Sequence, residues 1–358
     1  MRSLNSANGF QETTFKMLNS KRRINYLDAI KGFAMVMVVY GHVIIFVLGI
    51  KIQSSVIGEF ITTFHVPLFF FVSGLLAYKP LKEWNGKNTI KRLKDKFLLI
   101  MLPTLIFMTI YHFITNGDLN TLLHNGPKGY WFTYTLFLFF ATYYLIAYLC
   151  SRINFNYAEI ISFVFGIFFI LALAAFRPKP NTVQYWLQLE NYCNWFQFFA
   201  FALLCRRYED DFKRFIKKDL LRSIIIAVFF ISFITHRLYS GLIFDKILVF
   251  FVLRYCGVLM FYMFFFKNSI YFDRDTRIGK SLCFIGRRTL DIYLLHYFFL
   301  CDLSMLKPFF ENNAHPIIEF AFCLAMSLLI VIATLMISHL LRTSDFLAHL
   351  LFGSKTKQ

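Results

Sequence analysis

Two apolar runs of membrane length follow one another between Arg23 and Gly74, and each carries ionisable groups that a plain anchor would not need. The first contains YLDAIKGFAMVMVVYGH from Tyr26 to His42, the second EFITTFHVPLFFFVSG from Glu59 to Gly74. Charge is costly in hydrocarbon, so such groups face a bundle interior or a polar cavity and mark a site. Lys31 and His42 are eleven residues apart. On a helix that is about 16 Å along one face, a face that Asp28, Met35 and Val38 share.

The rest of the chain agrees with a membrane protein. Hydrophobic residues make up 58% and charged residues 16%, which excludes an ordinary soluble core. The net charge of +18 does not point to nucleic acid, because the basic residues lie in blocks between apolar runs. The seven cysteines, at 150, 193, 205, 256, 283, 301 and 323, have no ligand spacing and fall in or beside apolar runs. They are read as small core residues, with no disulfide framework and no metal site expected. The first residues hold no apolar stretch ahead of a cleavage site, so the first span is expected to be a retained anchor.

Counting roughly 20 apolar residues per crossing, the expected fold is an all-α membrane protein of about ten helices. They are placed near 30–50, 58–78, 96–115, 130–150, 156–176, 191–205, 221–237, 243–266, 282–302 and 316–341. Most of the 38 Lys and Arg fall on one set of connecting segments, which puts both termini in the cytoplasm. The chain divides into a segment 1–24, a membrane domain 25–341 and a tail 342–358.

Depth along the helices brings His42, His65 and His296 to one layer, roughly 10 Å beneath the outer surface. One open conduit is expected to join Lys31, at the inner mouth, to His42. An imidazole can take a proton from a hydroxyl and return it near neutral pH, which makes His42 the leading catalytic candidate. His65 stands before Val66-Pro67, where it either lines a cavity or staples a proline kink. His296 either orients a substrate or is a satisfied packing group. Trp131 is either an interfacial aromatic or a sugar-stacking ring. Arg254 and Asp291 come out near mid-bilayer and are expected to pair or to share a polar cavity. Basic clusters at 79–96 and 206–218 suit anionic lipid, or an anionic cofactor held by Arg92 and Lys31. Glycine-rich phosphate loops, HExxH and GxSxG are absent from the sequence.

Five stretches together resemble the acyltransferase-3 family of integral membrane acyltransferases, especially its smaller, fucose 4-O-acetylase-like members. They are the Lys-x10-His of Lys31 and His42, FHVPLFFFVSG at 64–74, KRLKDKFLLIMLP at 91–103, Trp131-Phe132, and IGRRTLDIYLLHYF at 285–298. The resemblance implies a ten-helix enzyme of the bacterial inner membrane. It would move an acetyl or other acyl group from cytoplasmic acetyl-CoA, a cosubstrate, to a hydroxyl of a surface or lipid-linked glycan. His42 carries over as the catalytic histidine and Lys31 as its basic partner, with His65, Ser73 or His296 positioning acceptor or oxyanion. Two features depart from the family. WFTYTL lacks the glutamate of a Trp-Ser-Leu-x-x-Glu motif, and no esterase-like domain is expected. On the residues alone, a transporter with a His/Arg/Asp proton relay and a haem or quinone protein stay open.

Overall fold

A computed structural model describes residues 25–115, 127, 129–176, 182–239, 248–312 and 315–353. All regular structure among them is helical. The segment 1–24 and the last residues of the tail lie outside the described residues.

Six helices are long and apolar enough to cross a membrane: Asn25–Val47, Val56–Ala77, Gly86–Thr115, Trp131–Arg152, Asp219–Leu238 and Pro316–Leu341. A seventh crossing is reached if Thr289–Phe299 and Ser304–Glu311, bent by 78° at their junction, count as one. The other three expected spans are helical, at Ala158–Phe176, Leu189–Arg207 and, after a π-turn, Arg254–Lys267. They are shorter or more polar than that standard, so ten crossings remain an expectation.

Helix α1 (Asn25–His42) and helix α2 (His65–Ala77) form the centre, with most of their residues buried. Around them pack α3 (Gly86–Lys96), α4 (Trp131–Arg152), α5 (Leu189–Arg207), α6 (Asp219–Leu238), α7 (Arg254–Lys267), α8 (Arg277–Arg287), α9 (Thr289–Leu295) and α10 (Pro316–Leu341). α6 and α10 leave Ile224, Phe230, Ile231, Ile234, Leu329 and Ile332 exposed. So much exposed apolar surface is stable only against lipid. The protein is an integral membrane protein.

Two glycine contacts set the closest helix approaches. A Cβ on Gly286 would lie 1.8 Å from the carbonyl oxygen of Asp28, and one on Gly32 2.1 Å from that of Leu282. α1 and α8 therefore meet backbone to backbone, which carries Arg287 to the Lys31 end of α1. In the same way a Cβ on Gly74 would lie 2.2 Å from the Phe199 carbonyl oxygen, so α2 and α5 also touch through a glycine.

The expected break at His65 is present. The run Val56–Ala77 divides at Thr63–Phe64, just before α2. Pro67, without an N–H, sits in the first turn of α2, where the missing donor costs least. The His65 ring bonds the Ile61 carbonyl across the break, Nδ1 to O at 2.7 Å, so the stapling role is fulfilled. All seven cysteines are free thiols and five are buried, which agrees with packing residues.

Candidate active site

Lys31 projects from the polar end of α1 and pairs with Asp28 one turn earlier, Nζ to Oδ1 at 2.9 Å. It opens onto a cavity of about 250 Å³. Two further cations line this space, Lys96 from the end of α3 and Arg287 from the end of α8. Ser73, Thr133 and Thr289 add hydroxyls, and the remaining wall is mostly apolar, with Met35, Phe69, Phe132 and Leu290 among it. Among the described residues no carboxylate lines the cavity. Such a space suits an amphiphile with an anionic head and an apolar or amide arm.

On its far side the cavity is walled by Tyr293. That hydroxyl accepts from the Phe132 backbone N–H at 3.2 Å and donates to the Gly129 carbonyl at 3.0 Å. Its ring centroid lies 5.7 Å from that of His296. Of the conduit expected between Lys31 and His42, this cavity holds the Lys31 end: its lining includes Lys31 and Tyr293 but not His42.

Behind Tyr293 the histidines of α1 and of the turn after α9 meet. His42 Nδ1 and His296 Nε2 are 2.6 Å apart. The ring centroids are 4.9 Å apart and the planes differ by 14°. Nitrogens so close with centroids so far apart mean that the rings lie edge to edge, nearly coplanar, in the geometry of a direct hydrogen bond. Two axial bonds to one haem iron would hold the nitrogens about 4 Å apart, whereas this spacing is that of a hydrogen bond. His296 is fully buried and its Nδ1 lies 2.7 Å from the Tyr293 carbonyl and 3.1 Å from that of Ile292. These carbonyls are within its reach because α9 tightens into a 3-10 turn at His296. Tyr297, its hydroxyl donating to Gly129 O at 2.7 Å, and Phe46 close the box around the His42 ring.

A family model described as an acyltransferase domain matches residues 24–336. This chain belongs to the acyltransferase-3 family. No curated protein and no solved structure shows significant similarity to it. In this acyltransferase the family match covers the whole cavity and the histidine pair, from Lys31 to His296.

Several expected site residues of the acyltransferase stand elsewhere. Arg92 is drawn to Glu83, with nitrogen and carboxylate oxygen 2.5 Å apart, and lies 5.4 Å from the Trp84 ring. Lys96, one turn further along α3, takes the cavity position instead. Trp131 packs edge-on to Phe132, and it is Phe132 that lines the cavity. Arg254 and Asp291 do not pair. Asp291 meets Arg342, the residue just past the end of α10, in a two-pronged contact with both distances 2.8 Å. Ser338 also bonds Asp291, at 2.5 Å, and Arg288 approaches to 3.3 Å. Arg254 lies 4.4 Å over the Trp195 ring.

Asp291 thus ties α9, and with it His296, to the end of α10. Breaking a buried pair leaves a charge uncompensated, so Asp291→Ala is expected to cost about 3 kcal/mol. A fall in the melting temperature of the detergent-solubilised protein measures it. The double variant Asp291→Ala/Arg342→Met should recover part of that loss.

Lys96 and Arg287 were not singled out from the sequence. Their signals were faint: Lys96 is one of several cations in KRLKDK, and Arg287 follows a glycine whose use depends on a partner helix. Among the described residues no group of three His, Cys, Asp or Glu side chains could hold a metal ion.

Proposed function

We propose that this acyltransferase moves an acetyl group from acetyl-CoA to a hydroxyl of a surface or lipid-linked glycan, in the bacterial inner membrane. The reading has ten crossings and both termini in the cytoplasm. The observation that carries it is a cation-rimmed, apolar-walled cavity that ends one tyrosine ring from a hydrogen-bonded imidazole pair. The CoA phosphates lie at the rim with Lys31, Lys96 and Arg287, and the pantetheine arm runs along Met35 and Phe69. The thioester reaches the imidazoles when the Tyr293 ring swings away from the Phe132 and Gly129 backbone groups that hold its hydroxyl, and the acceptor sugar arrives from the opposite side, toward His65.

His42 takes the proton of the acceptor hydroxyl as its oxygen attacks the thioester carbonyl. The C–S bond then breaks, and the proton on His42 leaves with the CoA thiolate. An O-acetyl ester and free CoA thiol result, with no net proton change. Ser73 donates a hydrogen bond to a pantetheine amide, while the Thr133 hydroxyl is engaged by the Tyr130 carbonyl and Thr104.

Radiolabelled acetyl-CoA supplied to membrane vesicles from producing cells, which carry their own glycans, tests the reading. Label should enter the glycan fraction and disappear in vesicles lacking the protein. No transfer by the native protein would refute it. Lys96→Ala and Arg287→Ala should each raise KM for acetyl-CoA about tenfold, the scale of one lost charge-assisted contact, with kcat nearly unchanged. Arg92→Ala should leave KM within about twofold, since its guanidinium is engaged by Glu83. Equal effects at all three positions would count against a phosphate site at the cavity rim.

A further inference from the structure

The hydrogen bonds around His296 decide where the proton of His42 sits. The groups opposite His296 Nδ1, the carbonyls of Tyr293 and Ile292, can only accept. Nδ1 must therefore carry the hydrogen, and the neutral ring keeps a lone pair on Nε2. That lone pair faces His42 Nδ1 at 2.6 Å, so the hydrogen between the rings belongs to His42. His42 Nε2 is then left with a free lone pair.

We propose that His296 is a positioning residue that holds His42 in the Nδ1–H tautomer, with Nε2 presented as the base. The proposal rests on the acetyl-transfer reading above and adds what makes His42 competent for it. An isolated neutral imidazole favours the opposite tautomer, with its proton on Nε2, where it could not accept from a hydroxyl. When Nε2 takes the acceptor's proton, the charge spreads to Nδ1–H, whose bond to His296 strengthens in the same step. His296 neither gains nor loses a proton.

The choice of histidine over a carboxylate as the orienting group follows from the surroundings. Both rings lie inside a membrane span or next to one, and His296 is fully buried. A resting carboxylate would add an ionised group to a low-dielectric layer, whereas a neutral imidazole pair is uncharged until the reaction begins. The backbone carbonyls that fix His296 belong to its own helix, so the alignment survives small movements of α1.

Two measurements test this. In nitrogen-15 spectra of histidine-labelled protein in nanodiscs, the His42 signals are assigned by their loss in His42→Ala. They should report a proton on Nδ1 and a bare Nε2. A proton on Nε2 would overturn the proposal, and this measurement needs no variant of His296 to fold. In the vesicle assay, His296→Leu removes the acceptor and should lower kcat about 10- to 100-fold with KM for acetyl-CoA within about twofold. His296→Gln, whose amide oxygen reaches the place of Nε2, should recover most of the loss. Equal impairment by Leu and Gln, or a change in KM alone, would overturn it by assigning His296 to packing or to substrate binding. Absence of transfer by the native protein refutes the acetyl-transfer reading, while the spectra still decide the tautomer. Full activity of His296→Leu beside an inactive His42→Ala refutes only the positioning role.

Discussion

Replacing His42 with alanine is expected to lower acetyl transfer by about 10²–10⁴-fold, the range that one positioned general base contributes. KM for acetyl-CoA should change little, because the cations proposed to meet the phosphates line the cavity, which His42 does not. The fold should tolerate the change. The His42 ring is half-buried, and its main polar contact is with His296, which keeps its own carbonyl partners. Truncation does leave His296 Nε2 without that partner, a cost of about 1–3 kcal/mol, so stability is measured alongside the rate. Label incorporation at saturating acetyl-CoA reads kcat, and gel filtration in detergent reads folding. Native-level transfer by a folded His42→Ala protein would remove the imidazole from the mechanism.

The second large effect is expected from one methyl group. Gly286→Ala puts a Cβ 1.8 Å from the Asp28 carbonyl oxygen and 3.1 Å from the Gly32 nitrogen. Both obstacles are backbone atoms of α1, so no side-chain rotation relieves the clash and the helices must separate. Overpacking that side chains can absorb costs about 1–3 kcal/mol, and here the cost should exceed it. Separation would also draw Arg287 away from Lys31 and widen the cavity rim. The expected result is loss of folded protein, or a protein with a lowered melting temperature and a raised KM for acetyl-CoA. Gly41→Ala is the control: its Cβ would meet nothing within 4 Å, and alanine is favoured over glycine in a helix by about 1 kcal/mol. If both variants melt like the native protein, α1 and α8 are not in the close contact described.

These two residues differ in how readable they were. His42 announces itself, since an imidazole within an apolar run and eleven residues from a lysine has few uninteresting explanations. Gly286 carries no such mark, because its meaning lies in a helix more than two hundred residues earlier. His296 was visible as a buried polar group at the depth of His42, but which group it served was not. The expected pairing of Arg254 with Asp291 failed for a related reason. Depth can be counted along a helix, whereas a partner depends on how that helix is rotated and on which neighbour it meets. Asp291 met Arg342, beyond the end of α10, and Arg254 met Trp195 on α5. That Tyr293 walls the cavity was likewise hidden, because a tyrosine in an apolar run gives no sign of where its ring turns.

Hydropathy and helical period are local properties, so the sequence alone settled the membrane class, the all-helical character, the break before α2 and the shared face of Lys31 and Met35. Packing decided the rest: Lys96 rather than Arg92 at the cavity, Arg287 beside it, Arg342 for Asp291, and His296 in line with His42. Those choices rest on close contacts between segments far apart in the chain. Such contacts depend on glycine-sized clearances and on ring orientation, which no count along a single helix contains.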